Sequence, residues 1–237
     1  MHLRKYHGLG NDFLILVDPD DKQPVDDEVA RALCDRHRGV GADGLIRVGP
    51  GPTMELYNAD GSRAETSGNG LRCLALAVVD AGMETGPQFT VATDAGPRRL
   101  TVGDDGLVTV EMGRPAVDGQ HVDLGNPHVV VPVDRPEDVD LGQAAAGYPG
   151  VNVEFFTPGP GPDHVTMRVW ERGVGETMAC GSGACAVAVV ARAKGLVGDR
   201  VTVRQPGGDV VVEIGGDGQV RLTGPAEFVC DVEVPWP

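Results

Sequence analysis

Cys180 heads the stretch Cys180-Gly-Ser-Gly183, which follows Glu176-Thr-Met-Ala179, runs into the alanine-rich segment 184–193 and stops at Gly195. A thiol ahead of a Gly-Ser-Gly turn and an apolar run predicts a cysteine at the N-terminus of a buried helix. Unpaired backbone N–H groups and the positive end of the macrodipole sit there, so a thiolate is stabilised and a carboxylate can dock beside it. A lone buried cysteine is more often plain core. Here the pattern is not alone.

Shifting the sequence by 113 positions lays Thr53-Met-Glu-Leu-Tyr57 on Thr166-Met-Arg-Val-Trp170, Ser67-Gly-Asn-Gly70 on Cys180-Gly-Ser-Gly183, and Gly82 on Gly195. Gly10-Asn11 falls on Gly125-Asn126 at a shift of 115, and Gly96, Gly106, Val108 and Val110 match Gly208, Gly218, Val220 and Leu222 at 112. A repeat of roughly a hundred residues is the size of a domain rather than of a solenoid unit. Two pseudo-symmetric halves are therefore expected, residues 1–115 and 116–226, with the last strand, 227–237, joining the first half. Facing each other across a cleft, they would present two helix N-termini, one with Cys180 and one with Ser67. Such a pair suits proton removal from one face of a carbon and return on the other. An α-hydrogen is a weak acid, so the dipoles of helix ends and glycine loops must stabilise the charge that develops.

The elements that must hold these residues are legible in outline. Strands are predicted over Leu3–Tyr6 and Phe13–Val17 around His7-Gly-Leu-Gly-Asn-Asp12, and a helix over Asp26–Arg36 carries Cys34 as packing. Strands Leu45–Val48 and Met54–Tyr57 precede a polar turn and a helix from Ser67 to about Ala81. Short strands follow to Met112, with a boundary at Gly113-Arg-Pro115; the second half then repeats the plan, adding an acidic loop and short helix over Glu137–Ala146. Asn11, Asn58, Asn126 and Asn152 lie near glycine motifs and can bind ammonium and carboxylate groups, although each alone is more often a turn residue. Glu171 and Arg172 form an adjacent charge pair, readable as a carboxylate grip or as a surface ion pair.

Bulk properties narrow the classes. A formal charge of −15 argues against nucleic acid and anionic membranes as partners. Five cysteines without a CxxC pair indicate neither a disulfide framework nor a metal site, and no stretch approaches the roughly 18 apolar residues of a membrane span. The N-terminus lacks a signal-peptide apolar region, so a reducing, cytoplasmic setting is expected.

Six blocks carry a family resemblance: His7-Gly-Leu-Gly-Asn-Asp-Phe13, Asn58-Ala-Asp-Gly-Ser-Arg-Ala-Glu65, Gly68-Asn-Gly-Leu-Arg-Cys73, Gly125-Asn-Pro-His128, Val151-Asn-Val-Glu154, and Glu171-Arg-Gly-Val-Gly-Glu-Thr177 with Cys180-Gly-Ser-Gly183. In that order, and over nearly the whole chain, they resemble the signature blocks of the diaminopimelate epimerase family. The resemblance implies an α/β (α+β) fold of two related domains, each a mixed sheet wrapped around a central helix, with the active site between them. It implies cofactor-independent interconversion of LL- and meso-2,6-diaminopimelate, on the route to lysine and peptidoglycan, by a homodimer without a metal. By motif, Cys180 matches one catalytic cysteine. Asn11, Asn58, Asn126, Asn152, Glu171 and Arg172 match substrate-binding positions, with Glu171 and His128 also assisting at the reacting centre. Gly68, Asn69, Gly181 and Ser182 match the groups that hold the α-carboxylate.

Two positions depart from that pattern. Ser67 stands where the family has its second catalytic cysteine, and Gly44 where a Gln is common. A hydroxyl is a far weaker acid than a thiol, and Cys73, six residues on, is displaced by about 9 Å of helical rise. Ser67 is readable as an engineered replacement that disables the enzyme, as a natural variant passing one proton slowly, or as a shift to elimination of water, as in relatives of the proline racemase superfamily. A racemase of another amino acid and a non-catalytic amino-acid-binding descendant are the remaining alternatives. Glu171, Arg172 and the four asparagines favour the epimerase.

Overall fold

The computed structural model describes residues 1–84 and 86–235. The chain forms two compact units, one of Met1–Val110 with the segment from Pro225 onward, the other of Glu111–Gly224. Residues 236 and 237 of the predicted closing strand lie outside the described residues.

In the first unit, β1 (His2–Gly8) and β2 (Asn11–Val17) form a hairpin whose turn places Leu9 and Gly10 at positive φ. Helix α1 (Asp27–Cys34) crosses to β3 (Gly44–Gly49), which lies parallel to β2, and β4 (Thr53–Asn58) and β5 (Arg63–Ala64) add antiparallel. After α2 (Gly68–Asp80) comes the meander β6 (Gln88–Val91), β7 (Arg98–Val102) and β8 (Val108–Gly113). A single parallel bridge, Thr53 to Ala92, ties the meander to β4. The chain's last strand, Glu227–Glu233, pairs with β1 at the open edge.

The second unit repeats this plan. β9 (Ala116–Asp118), β10 (His121–Asp123) and β11 (Pro127–Pro132) lead through a 3-10 turn and α3 (Leu141–Ala145) to β12 (Asn152–Pro158), parallel to β11. β13 (His164–Glu171) and β14 (Gly175–Thr177) add antiparallel. Following α4 (Gly181–Ala193), β15 (Arg200–Gln205) lies parallel to β13, and β16 (Gly208–Ile214) and β17 (Val220–Gly224) complete the sheet. The expected fold class, a mixed sheet around a central helix in each of two pseudo-symmetric halves, is the one observed.

Both central helices are buried because their sequences offer no polar face. Leu71, Leu74, Ala75 and Val78 of α2 and Ala184, Val187, Ala188 and Ala191 of α4 are fully buried. α2 packs on β1, β2, β3 and β7, and α4 on β11, β12, β13, β15, β16 and β17. Gly82 and Gly195 end them at φ 69° and 71°, where the left-handed turn favours glycine. The smaller α1 covers the other side of β3 and β4, and its helix stops at Cys34 rather than at Arg36 because Asp35 turns to extended backbone. The acidic loop and short helix expected over Glu137–Ala146 are the 3-10 turn Pro136–Asp138 and α3. Among the described residues no helix is long and apolar enough to cross a membrane.

Candidate active site

Each central helix begins at one of the repeated motifs. Ser67 is the N-cap of α2, its Oγ accepting from the Gly70 N–H at 3.0 Å, and Cys180 is the N-cap of α4, its Sγ accepting from the Gly183 N–H at 3.4 Å. Caps of this kind satisfy one of the orphan donors of the first turn and leave others free to meet an anion.

At the α2 end, Asn69 donates to Asn11 Oδ1 at 3.0 Å, and Asn11 donates to Asp43 Oδ2 at 2.8 Å. Asp43 is held in turn by Arg36, which also grips Asp12. Burial alone would raise the Asp12 carboxyl, but hydrogen bonds from Arg36 and Lys5 outweigh it and hold it down to about 2. This anionic pair fixes the orientation of the Asn11 amide. Asn58 closes the turn after β4, donating to Ser62 Oγ at 3.0 Å. Gly44 pairs with Asn58 across β3 and β4, and a Cβ there would lie 2.8 Å from the Tyr57 carbonyl oxygen. A Gln at this position would need the strands to part. Cys73 is fully buried and its thiol is pushed up to about 12, so it supplies no acid or base near neutrality.

At the α4 end, nearly every group has chemistry. Cys180 is buried, its N–H donates to Gln205 Oε1 at 2.7 Å, and its sulfur lies 3.6 Å from Ser182 Oγ. Ser182 Oγ accepts from Asn126 Nδ2 at 3.1 Å; Asn126 Oδ1 meets His128 Nε2 at 3.1 Å; His128 Nδ1 meets Glu154 Oε1 at 2.7 Å. Glu171, half-buried at the end of β13, accepts from Thr177 Oγ1. Its carboxyl therefore turns to the protein interior rather than to a surface partner. Burial raises it to about 7, against the lowering effect of Thr177, His128 and a hydrogen bond from Cys180. Burial pushes the Cys180 thiol well above its usual value, and the charges of Glu171 and Glu154 push it further. The resting site thus holds a protonated thiol beside a carboxylate that titrates near neutrality.

Asn152 spends its side chain on the backbone, donating to the Pro127 carbonyl at 3.1 Å and accepting from the Arg172 N–H at 2.9 Å. It thereby ties β11 to the turn that carries Arg172. The second unit brings together Asn126, His128, Asn152, Glu171, Cys180, Gly181 and Ser182; the first brings together Asn11, Ser67, Gly68 and Asn69, with Asn58 in its own turn. Asp43, Glu154, Thr177 and Gln205 belong to these networks and were not among the residues singled out from the sequence. A glutamate inside the apolar run of β12 is the one signal that could have marked Glu154. Among the described residues no group of three or more His, Cys, Asp and Glu side chains is placed to hold a metal ion.

Comparison with known proteins agrees over almost the whole chain. The sequence profile of the family described as diaminopimelate epimerase matches residues 3–117 and 121–229. The diaminopimelate epimerase of Desulfitobacterium hafniense is 39% identical over an alignment of 274 residues, covering 97% of this chain and 96% of its own. That of Streptomyces coelicolor is 41% identical, covering 97% and 93%. Among solved structures, a phenazine biosynthesis protein of the PhzF family from Bacillus anthracis aligns with TM-score 0.75 at 16% identity, covering 99% and 98% of the two chains. A hydroxyproline epimerase from Agrobacterium vitis, with bound trans-4-hydroxy-L-proline, aligns with TM-score 0.71 at 17% identity, covering 98% and 91%. At these identities the two structures speak for the fold alone.

Proposed function

Because the chain belongs to the diaminopimelate epimerase family, its activity is that of an isomerase acting on diaminopimelate, and we propose that Cys180 is the group that removes the α-proton. The alternatives of a different racemase, a dehydratase or a non-catalytic descendant are not favoured by relatives that share the name over the full chain. One observation carries the assignment to Cys180: a thiol, a carboxyl titrating at about 7 and a histidine–carboxylate pair gather at the start of α4.

In the proposed sequence the Cys180 thiol gives its proton to Glu171, and the resulting thiolate takes the α-hydrogen, so that the C–H bond breaks as an S–H bond forms. Amides of Gly181 and Ser182, and of Gly68 and Asn69, hold the α-carboxylate and stabilise the developing carbanion charge. Arg172 grips the distal carboxylate, and Asn11, Asn58, Asn126 and Asn152 orient the amino groups directly or through the turns they fix. His128 holds Asn126 in place. Return of a proton on the opposite face falls to Ser67, directly or through a water, and no cofactor is required. We further infer a cytoplasmic homodimer; the charge of −15 supports the absence of nucleic-acid and anionic-membrane partners, and light scattering in solution checks the dimer.

The test is incubation of the protein, beside a Ser67→Cys variant, with LL-diaminopimelate in deuterated water, followed by NMR. The expected result is α-deuteration that outruns formation of the meso isomer in the protein itself and keeps pace with it in the variant. Absence of both signals from both proteins would overturn the assignment.

A further inference from the structure

The hydrogen bonds beside Cys180 have a direction, and the direction is set at the far end. Asn126 commits its Nδ2 to Ser182, so its Oδ1 must face His128 Nε2, which can then only donate. The other ring nitrogen, Nδ1, faces Glu154 Oε1 at 2.7 Å, with both side chains fully buried. A neutral imidazole has a single N–H, so a second proton must lie in the His128–Glu154 contact. Whichever of Nδ1 and Oε1 holds that second proton, the contact uses up Nδ1 and leaves the Nε2 hydrogen in place. The first turn of α4 packs closely on this carboxyl: a Cβ on Gly183 would lie 2.6 Å from Glu154 Oε1.

We propose that Glu154 is a positioning residue that locks His128 as a donor at Nε2 and so orients a chain of hydrogen bonds ending on the Cys180 sulfur. His128 Nε2–H donates to Asn126 Oδ1, Asn126 Nδ2–H donates to Ser182 Oγ, and the Ser182 hydroxyl, its lone pair occupied, turns its hydrogen to Sγ 3.6 Å away. The hydroxyl then stabilises the thiolate that forms when the thiol is deprotonated. Glu154 touches no reacting atom. The charged and titratable groups facing this chain are Glu154 from β12, Glu171 from β13 and Cys180 at the head of α4. The first unit has no counterpart: the residue opposite Ile15 in β3 is Ile46, as Glu154 is opposite Val130 in β12. The proposal rests on the role of Cys180 given above, but its test does not need turnover.

Ring-nitrogen NMR of His128 is the first readout, with Glu154→Gln and Glu154→Leu variants. In the unaltered protein Nε2 is expected to carry a proton. In Glu154→Gln the amide can donate to Nδ1, leaving a neutral ring that keeps Nε2–H, so iodoacetamide labelling of Cys180 stays within about twofold. In Glu154→Leu the chain loses its anchor and labelling slows by about fivefold, although removal of a nearby carboxylate would by itself have speeded it. Where α-proton exchange is measurable, kcat falls about tenfold in the Leu variant with KM little changed, and holds within about threefold in the Gln variant. An unprotonated Nε2 in the unaltered protein, or a folded Leu variant that labels as fast as or faster than its parent, overturns the proposal. Failure of turnover with the NMR and labelling results intact overturns only the substrate reading.

Discussion

Ser67 and Cys180 occupy the same backbone niche, at φ −145°, ψ 125° and φ −130°, ψ 115°, and each accepts from the N–H three residues on. The strands beneath them run in the same order and register. Yet at the register positions that His128, Glu154, Glu171 and Thr177 hold in the second unit, the first has Phe13, Ile46, Asn58 and Ala64. The backbone supplies both ends with N–H groups that can dock an anion. A thiol, a histidine and two glutamates were placed at one end only; the carboxyls at the other, Asp12 and Asp43, are tied up by Arg36. An anion site is therefore a property of the shared fold, whereas removal of the proton is a property of one half's sequence.

The largest test of this difference removes the thiol. Cys180→Ala is expected to cut α-deuteration of diaminopimelate by at least about a thousandfold without unfolding the chain, read by NMR in deuterated water. Next comes the restoration of symmetry. Ser67→Cys is expected to raise formation of the meso isomer by about a hundredfold while leaving α-deuteration within about threefold. An equal rise in both would mean that the two ends do not act on opposite faces.

A third test uses pH. Glu171 titrates at about 7 when folded, above its ordinary 4.5, because of burial. Only its ionised form can take the thiol proton, so kcat/KM is expected to rise with pH through about 7 and the rise to vanish in Glu171→Gln. The same shift has a cost in stability. A raised folded pKa means that the folded state binds the proton more tightly, so stability is fully present below 4.5 and is lost as pH climbs through 7. Glu171→Gln is accordingly expected to resist denaturant better above neutrality, by on the order of 1–3 kcal/mol, while losing activity.

The smallest effect compares two glycines. A methyl at Gly183 meets the Glu154 carboxyl at 2.6 Å, whereas at Gly70 it meets the ends of Ile46 and Met54 at 3.0 and 3.1 Å. Gly183→Ala is expected to destabilise by about 1–3 kcal/mol in urea unfolding. Gly70→Ala should lie within about 1 kcal/mol, since better helix propensity offsets a contact that flexible tips can relieve.

The sequence announced the two helices, their caps and the repeat because these rest on local rules: a capping side chain, an apolar run, a closing glycine. It announced Cys180 because a thiol at that place is chemically unusual. Glu154, though part of one of the six blocks, was given no role and Gln205 was passed over, for different reasons. β12 is buried on both faces from Asn152 to Phe156, so alternation carries no message about which residue points to the site. Gln205 lies at the end of β15, 25 residues beyond the backbone N–H it receives, where no spacing rule connects them. The short strands β5, β9 and β14 were missed because two or three residues form a strand only when a neighbour offers its edge.

The pairing of β1 with Glu227–Glu233 places residues 220 or more positions apart in one ladder, and the Met1 ammonium itself donates to the Val234 carbonyl at 2.8 Å. During synthesis on the ribosome, the second half can close its sheet as soon as β17 emerges, from contiguous chain alone. The first half, though made earlier, must wait for the final strand to cover its open edge. The order of synthesis and the order of completion are thus reversed, and a released chain cut short before residue 227 would hold every strand of the second half but lack one of the first.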